Sequence, residues 1–296
     1  MYFSDREQGS KPRVVEVIGA KAWHGIAAIV ESRVEDRSLG FGFPEICPDY
    51  DLPVGTDRRK FSRVLSAEIP EIDFPFDESE VPETIIILDL IEFVHRHVGA
   101  PIERDFHSFF RHYHLAFDVE AGKHKYCGDI NRLFARQGLA YELSTNGHIS
   151  RIATTPPEIS LQNSEFNTGD ATLDNLLSRA KQRYFAPGPD AAIEAVKELW
   201  DAWERLKTVI DPSNKKRSIS SLILYAGKEP AFVEAIESEA LTLTKIGNDF
   251  QIRHHEVGKS PLESVAQVRY LFQRLYALIE LLIPHFDGDT TGGQSD

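Results

Sequence analysis

A polar run late in the sequence, residues 248–256, contains the side-chain types that cleave a phosphodiester without a metal ion. Arg253 can hold a phosphate through two hydrogen bonds and neutralise the charge that develops on it. A histidine such as His255 can take a proton from a ribose 2′-hydroxyl, or give one to the leaving oxygen, near neutral pH. The candidate catalytic residues are Arg253, His255, His254, Glu256 and Asn248.

The other members of this cluster have supporting roles in that chemistry. Asn248 or His254 would position the substrate, and Glu256 would orient a histidine or the arginine. The spacing also allows a purely structural interpretation, in which Arg253 and Glu256 pair across one helical turn and the histidines lie in solvent. Polar clusters at helix ends are common on protein surfaces, so spacing alone favours the structural interpretation.

Two short basic runs are the other positions that can contact phosphates. The first consists of Lys215, Lys216 and Arg217 and is the candidate RNA-binding run, and the second covers residues 123–125. Runs of this length are more typical of solvated loops. The sequence has neither a glycine-rich phosphate loop nor a Gly-x-Ser-x-Gly elbow, so nucleotide hydrolysis and α/β-hydrolase chemistry are not indicated.

Histidines are concentrated in one stretch of the first half of the chain, and four such residues can ligate zinc. His95 and His97 point to different sides of a predicted helix, however, and no Cys or Glu-x-x-His pattern completes a ligand set. The sequence therefore favours histidines that pack on aromatic rings or bond the backbone, and predicts no metal ligands and no cofactor. A metal site in the first half of the chain is the alternative hypothesis. The histidines of this stretch are His95, His97, His107, His112, His114 and His124.

Composition limits the class of protein. The net charge of -13 argues against wholesale coating of nucleic acid, although it leaves room for a local basic site. Cys47 and Cys127 are too few for a disulfide framework, which favours a reducing compartment. The sequence shows neither the apolar core of a signal peptide nor an apolar run long enough to span a bilayer. We therefore expect a cytoplasmic protein without membrane contact.

The first half of the chain mixes helical and strand-like patterns, which predicts an α+β domain over residues 1–155. Asn146-Gly147 between two strand-like segments is a hairpin signal, because both residues accept positive φ. The predicted elements are helices over 12–36, 82–98 and 131–138, a helical turn over 61–65, and a hairpin that turns at 145–147.

The second half has apolar residues at helical spacing nearly throughout, which predicts an all-α antiparallel bundle of four helices over 170–286. The last helix is expected to open at the capping box Ser260-Pro261-Leu262-Glu263. Pro156-Pro157 and the polar residues after it predict an interdomain linker over 156–169. Residues 287–296 are expected to form a disordered tail.

The last predicted helix, residues 261–283, is apolar on more than one side. Leu271, Leu278 and Leu281 lie off the main stripe, and a helix of this kind must bury more than one side. We therefore expect a homodimer through the bundle. Cover by the N-terminal domain is the alternative explanation.

These features together resemble bacterial AbiJ-like abortive-infection proteins with a C-terminal HEPN-type domain. In the second half the resemblance rests on the bundle, residues 211–218 and residues 248–256. In the first half it rests on the segments Phe3–Glu7, Trp23, His107–Phe110, His114–Asp118 and Gly138–Leu143. The resemblance covers most of the chain and implies a role for His107, His114 and Asp118 in the first domain.

Active HEPN proteins are metal-independent ribonucleases that usually dimerise, so that two Arg/His motifs share one cleft. Their motif is an Arg, a polar residue and a His several positions on, and Arg253 and His254 match its first two positions. Gly258, Lys259 and Ser260 stand where the distal His is expected. His255 is therefore the residue that would replace it.

The resemblance implies a phage-defence effector that cleaves RNA, such as tRNA or mRNA, under the control of its N-terminal part. A phage-derived trigger or an antitoxin would be its further partner. The alternative function is a non-catalytic module for RNA or ligand binding, or for dimerisation, within a defence or toxin–antitoxin system.

Overall fold

The protein divides into two compact units, Met1–Thr154 and Thr155–Asp296. The computed structural model describes residues 3–9, 11–77, 79–250, 252, 262 and 264–283. The predicted tail, 287–296, and the cluster 253–256 lie outside the described residues. Within the described residues, no helix combines the length and the apolar character that crossing a bilayer requires.

The first unit combines helices with three separate two-stranded antiparallel sheets. Its helices are α1 (Phe3–Gln8), α2 (Ala20–Glu35), α3 (Arg58–Glu68), α4 (Thr84–His97) and α5 (Val119–Gln137), with a 3-10 turn at Ser38–Gly40. Its sheets are β1 (Pro44–Ile46) with β2 (Pro53–Thr56), β3 (Ala100–His107) with β4 (His112–Asp118), and β5 (Tyr141–Leu143) with β6 (Ile149–Arg151).

The core of this unit lies where α2, α4 and α5 pack against one another. Trp23, Phe93 and Phe134, one from each helix, are fully buried, and Phe43 and Phe61 pack against Phe93. The apolar stripe of α4 is buried throughout, as its helical spacing predicted. One apolar core thus fixes the helices that carry the small sheets.

The helix predicted over 12–36 begins only at Ala20, so the prediction of its start was wrong. Val15 instead pairs with the segment directly before β5: its amide donates to Gly138 O, and its carbonyl accepts from Ala140 N. These bonds give the backbone an alternative to the first helical turns. Gly19 then occupies the N-cap of α2 in an extended conformation.

Two further elements are longer than their patterns indicated. The short helix expected over 131–138 is the last part of the 19-residue α5, and the turn expected over 61–65 is the middle of α3. Asp118 and Asp57 explain the early starts, because each side chain accepts from a backbone amide at its helix N-terminus. The hairpin prediction is confirmed, although only Gly147 adopts a positive φ, of 90°.

All the described secondary-structure elements of the second unit are helices. Helix α8 packs against α7 and α11, and α9 packs against α10 and α11. The described helices are α6 (Pro156–Asn163), α7 (Ala171–Tyr184), α8 (Pro189–Leu206), α9 (Lys215–Ala226), α10 (Pro230–Asp249) and α11 (Val265–Leu282).

The predicted linker, 156–169, contains helix α6. Thr155 and Glu158 form a capping box that starts this helix. Buried Glu158 accepts a hydrogen bond from Tyr184 of α7, and Leu161 is also buried. The residues after Pro156 therefore pack as part of the helical unit.

A fragment of residues 155–296 is therefore expected to be more stable than one of residues 170–296. The shorter fragment loses the buried Leu161 and leaves Tyr184 without its carboxylate partner. Removing a large buried apolar side chain costs about 2–5 kcal/mol. Thermal unfolding of both fragments by circular dichroism measures the difference, and equal Tm values would contradict this assignment of α6.

Helix α11 begins at Val265, later than the predicted capping box. Ser264 is its N-cap, and the Ser264 hydroxyl accepts from the Gln267 amide. Leu271 and Leu278 are 7% and 4% exposed, so the single chain already buries them. Only Leu281, 40% exposed, remains of the three leucines from which a dimer was inferred.

Candidate functional site

Four of the five members of the predicted catalytic cluster, residues 253–256, follow α10 in the sequence and are outside the described residues. Asn248 is exposed in the last turn of α10. Ile252, directly before Arg253, is 4% exposed. The chain is therefore anchored in the protein interior immediately before Arg253.

The last turns of α10 are held against α8. Trp203 donates from its indole nitrogen to Thr244 Oγ1 at 3.2 Å, and Gly247 lies directly against the Trp200 indole. A larger side chain than glycine at 247 would collide with that ring. This close approach fixes the position along α8 at which the next residue, Asn248, lies.

The basic run occupies the first turn of α9, where the Asn214 side chain caps the helix by accepting from the Arg217 amide. Lys215 reaches Glu204 of α8 at 3.3 Å, next in sequence to Trp203. Lys216 and Arg217 are exposed. The start of α9 and the end of α10 thus both contact the C-terminal turns of α8, so the structure brings the basic run and Asn248 to the same end of the second unit.

The electrostatics of this helix start favour an anion. The first turn of a helix carries partial positive charge from its free amides, so cations placed there are locally unfavourable. Lys216 and Arg217 add to that positive charge, while Glu204 offsets Lys215 and the nearby Asp211 carboxylate partly offsets Arg217. A phosphate group would relieve this repulsion.

Three histidines of the His-rich stretch, His95, His97 and His124, lie outside any cluster of possible metal ligands among the described residues. His95 is 1% exposed, and desolvation lowers its pKa from the usual range, so it is neutral at physiological pH. His97 bonds the Phe93 carbonyl through Nδ1 at 2.8 Å and packs on the Phe43 ring. His124 is exposed on α5. His97 meets the expectation of packing on an aromatic ring and bonding the backbone, whereas exposed His124 does not.

The other three histidines of the stretch, together with Cys47, form a cluster that we call the Cys–His cluster. His107 is the last residue of β3 and His112 the first of β4, and the two are paired across the hairpin. His114 follows two residues later, so it projects from the same face of β4 as His112. Cys47 directly follows β1, and its amide donates to Leu52 O in the loop before β2.

The ligand atoms of the Cys–His cluster converge. One sulfur or nitrogen atom from each of the four residues lies within 4.8 Å of the others. His107 Nδ1 is 3.4 Å from the Cys47 sulfur. The three imidazole centroids form a nearly equilateral triangle, with sides of 5.3, 5.7 and 5.6 Å.

Aromatic side chains and a carboxylate enclose this cluster. The Tyr50 ring packs edge-on against His107 and His114, and the Phe110 ring stacks on His112. Asp49 approaches the second nitrogen of His107, Nε2, at 3.4 Å. Cys47 and His114 are 3% and 7% exposed, so little water reaches the centre of the cluster.

Spacing in the sequence does not reveal this set, because Cys47 is 60 residues from His107 in the chain. The statement that no cysteine completes a ligand set was therefore wrong. The only signal in the sequence was the spacing His107, His112, His114 across a short aromatic turn, which is typical of one strand pairing back on another. Asp118, also implicated by resemblance, caps α5.

A comparison with protein-family models decides what kind of protein this is. Residues 1–167 match the model described as AbiJ N-terminal domain 4, which is more than half of the 296 residues. The chain belongs to the AbiJ family. Its first unit is thus an AbiJ N-terminal domain, and the AbiJ protein is a component of an abortive-infection system.

The match to the AbiJ model contains the whole Cys–His cluster and ends before the basic run and residues 248–256. No curated protein and no solved structure matches the chain. The AbiJ assignment therefore rests on the first unit together with helix α6.

Proposed function

We propose that this AbiJ protein is a phage-defence effector whose helical second unit is a HEPN-type, metal-independent endoribonuclease. Its membership of the AbiJ family is the observation that carries the proposal. The arrangement of the second unit adds support, because α8, α9 and α10 bring exposed cations and Asn248 to one end. That is the end from which the chain continues into Arg253 and His255.

The proposed reaction is an attack of a ribose 2′-oxygen on the adjacent phosphorus. The new P–O bond closes a 2′,3′-cyclic phosphate, and the bond from phosphorus to the 5′-oxygen breaks. One base accepts the 2′-hydroxyl proton, and one acid gives a proton to the leaving 5′-oxygen. His255 supplies one of these roles, Arg253 stabilises the charge on the phosphorane, and Glu256 orients either residue.

The substrate is an RNA such as tRNA or mRNA, held partly by the start of α9. Lys216 and Arg217 would contact backbone phosphates, which gives affinity without reading sequence. His254 and Asn248 would position the scissile phosphate. A trigger from the phage, or an antitoxin, would act through the AbiJ N-terminal domain.

The second candidate function is a non-catalytic module that binds RNA or another ligand. The observation in its favour is that Gly258, Lys259 and Ser260 occupy the positions of the distal histidine. Incubating full-length protein with total RNA, with and without chelator, distinguishes the two functions. Cleavage that persists in chelator supports the nuclease, and binding without cleavage supports the module.

We expect the full-length protein to be a homodimer, because two Arg/His motifs then share one cleft. Several large apolar side chains of the second unit remain exposed and are available for such a contact: Leu224, Tyr225, Leu241 and Tyr270. Light scattering across a range of concentrations measures the mass. A monomer at every concentration would contradict the shared cleft.

A further inference from the structure

The Cys–His cluster contains buried polar atoms that the described part of the chain leaves without partners. His112 Nε2 and His114 Nε2 are inaccessible to solvent, and no described residue hydrogen-bonds either atom. A buried polar atom without a partner costs about 1–3 kcal/mol, so native proteins seldom keep two of them side by side. Both belong to residues whose ligand atoms converge with Cys47 and His107.

We propose that Cys47, His107, His112 and His114 bind one zinc ion. A metal ion between them would accept the lone pairs of both orphaned nitrogens and remove that cost. Imidazole nitrogens and a thiolate are the donors that zinc prefers, whereas magnesium and calcium take oxygen ligands.

The spacing of the donors fits tetrahedral coordination. Zinc–ligand bonds of about 2.0–2.3 Å at tetrahedral angles place neighbouring ligand atoms about 3.3–3.7 Å apart and the centroids of coordinated imidazoles about 5 Å apart. The Cys47 sulfur and His107 Nδ1 are 3.4 Å apart, and the imidazole centroids are 5.3–5.7 Å apart. The four ligand atoms all lie within 4.8 Å of one another, so the most distant pair must close by about 1 Å to reach the spacing around a bound ion.

Asp49 supplies the outer contact that zinc-bound histidines usually have. A ligating histidine commonly donates its other ring N–H to a carboxylate, which fixes the ring orientation and makes the bound nitrogen more basic. His107 turns Nδ1 to Cys47 and Nε2 to Asp49. The two nitrogens of this ring are thus placed for a ligand and for its supporting hydrogen bond.

Four protein ligands complete a tetrahedral shell, so this zinc would have no open position for water or substrate. Its role is therefore structural. It joins the loop after β1 to the β3–β4 hairpin, across 60 residues of sequence. Isolated two-stranded sheets are marginally stable, so a metal link between them contributes directly to folding. Such a zinc takes no part in the cleavage chemistry proposed for the second unit.

Metal analysis of the full-length protein, grown with zinc and freed of any histidine tag, tests this proposal. We expect about one zinc per chain in the wild type. Cys47→Ser and His112→Gln should each lose most of that zinc. Cys127→Ser is the matched control, because Cys127 is the other buried cysteine and lies outside the cluster, so this variant should keep its zinc.

Cobalt substitution and zinc titration keep the proposal testable if a variant folds poorly. Metal-free wild type given Co²⁺ should show the absorption of a four-coordinate ion and a thiolate charge-transfer band, and adding Zn²⁺ should raise its Tm. Wild type that contains no zinc and neither binds Co²⁺ nor gains stability with Zn²⁺ would overturn the proposal. Because these measurements do not involve RNA, their outcome is independent of whether the nuclease proposal holds.

Discussion

Changing Arg253 to Ala is expected to abolish RNA cleavage and cell toxicity while leaving Tm nearly unchanged. A functional arginine at a helix junction directs its charge toward a ligand and contributes little to the fold. An exposed ion pair with Glu256 would be worth only about 0.2–1 kcal/mol, so its loss could not unfold the bundle. Cleavage assays and thermal unfolding on the same preparation measure the two effects.

Arg253→Lys is expected to fail almost as badly, because an ammonium group cannot make the planar two-point contact with a phosphate. Arg179→Ala is the matched control. Arg179 is an exposed arginine of α7 that pairs with Glu198, and its removal should leave cleavage at the wild-type level. A drop in both alanine variants would mean that net charge, rather than the cluster, governs activity.

Alanine substitutions of the two histidines of the cluster should differ in their effect on RNA cleavage. His255→Ala should resemble Arg253→Ala if His255 replaces the distal histidine, whereas His254→Ala should be milder. Chelator should leave the chemical step intact in protein that stays folded. Two outcomes would defeat this account: full activity in Arg253→Ala, or a large loss of stability in that variant, which would make the cluster a buried structural network.

Changing Gly122 to Ala should strongly destabilise the first unit. Gly122 lies early in α5, against the backbone of Gly99 and Ala100 where β3 begins, and an added Cβ would overlap those backbone atoms. Backbone cannot rotate away as a side chain can, so α5 must shift from the strand that carries His107. Overpacking of this kind costs about 1–3 kcal/mol or more.

Gly128→Ala in the same helix is the matched control, and it is expected to change the free energy of unfolding in the opposite direction. A Cβ at position 128 meets nothing within 4 Å, and Gly128 is exposed. Alanine there should stabilise the helix by about 0.5–1 kcal/mol, because glycine loses more backbone freedom on folding. Thermal unfolding and hydrogen exchange of α5 amides report both changes. Equal effects of the two substitutions would contradict this packing of α5 on β3.

Local patterns in the sequence predicted the elements that local forces determine. The stripe of α4 and the hairpin around Gly147 follow from side-chain periodicity and from the turn. The start of α2 could not be predicted in this way. The backbone hydrogen bonds of Val15 to Gly138 and Ala140 compete with helix formation, and these partners are far away in the sequence. Helix α6 was missed because Pro156-Pro157 reads as a break, although proline is well tolerated in a first helical turn.

The candidate sites divide in the same way. Residues 248–256 are adjacent in sequence, so a candidate site could be predicted there from the sequence alone. The position of the basic run beside α8 came only from the structure. The Cys–His cluster forms only when tertiary packing brings the loop after β1 against the β3–β4 hairpin. A cysteine 60 residues from its partners gives no pattern that spacing rules detect.

The most direct test of the nuclease proposal is to sequence the RNA ends in phage-infected cells that carry either the wild-type protein or Arg253→Ala. Infection supplies whatever trigger acts through the AbiJ N-terminal domain, so the measurement does not depend on knowing that trigger. The account predicts new fragments that end in 2′,3′-cyclic phosphate in wild-type cells and are missing in the variant. Protection from phage by the wild type without any such fragments would contradict it.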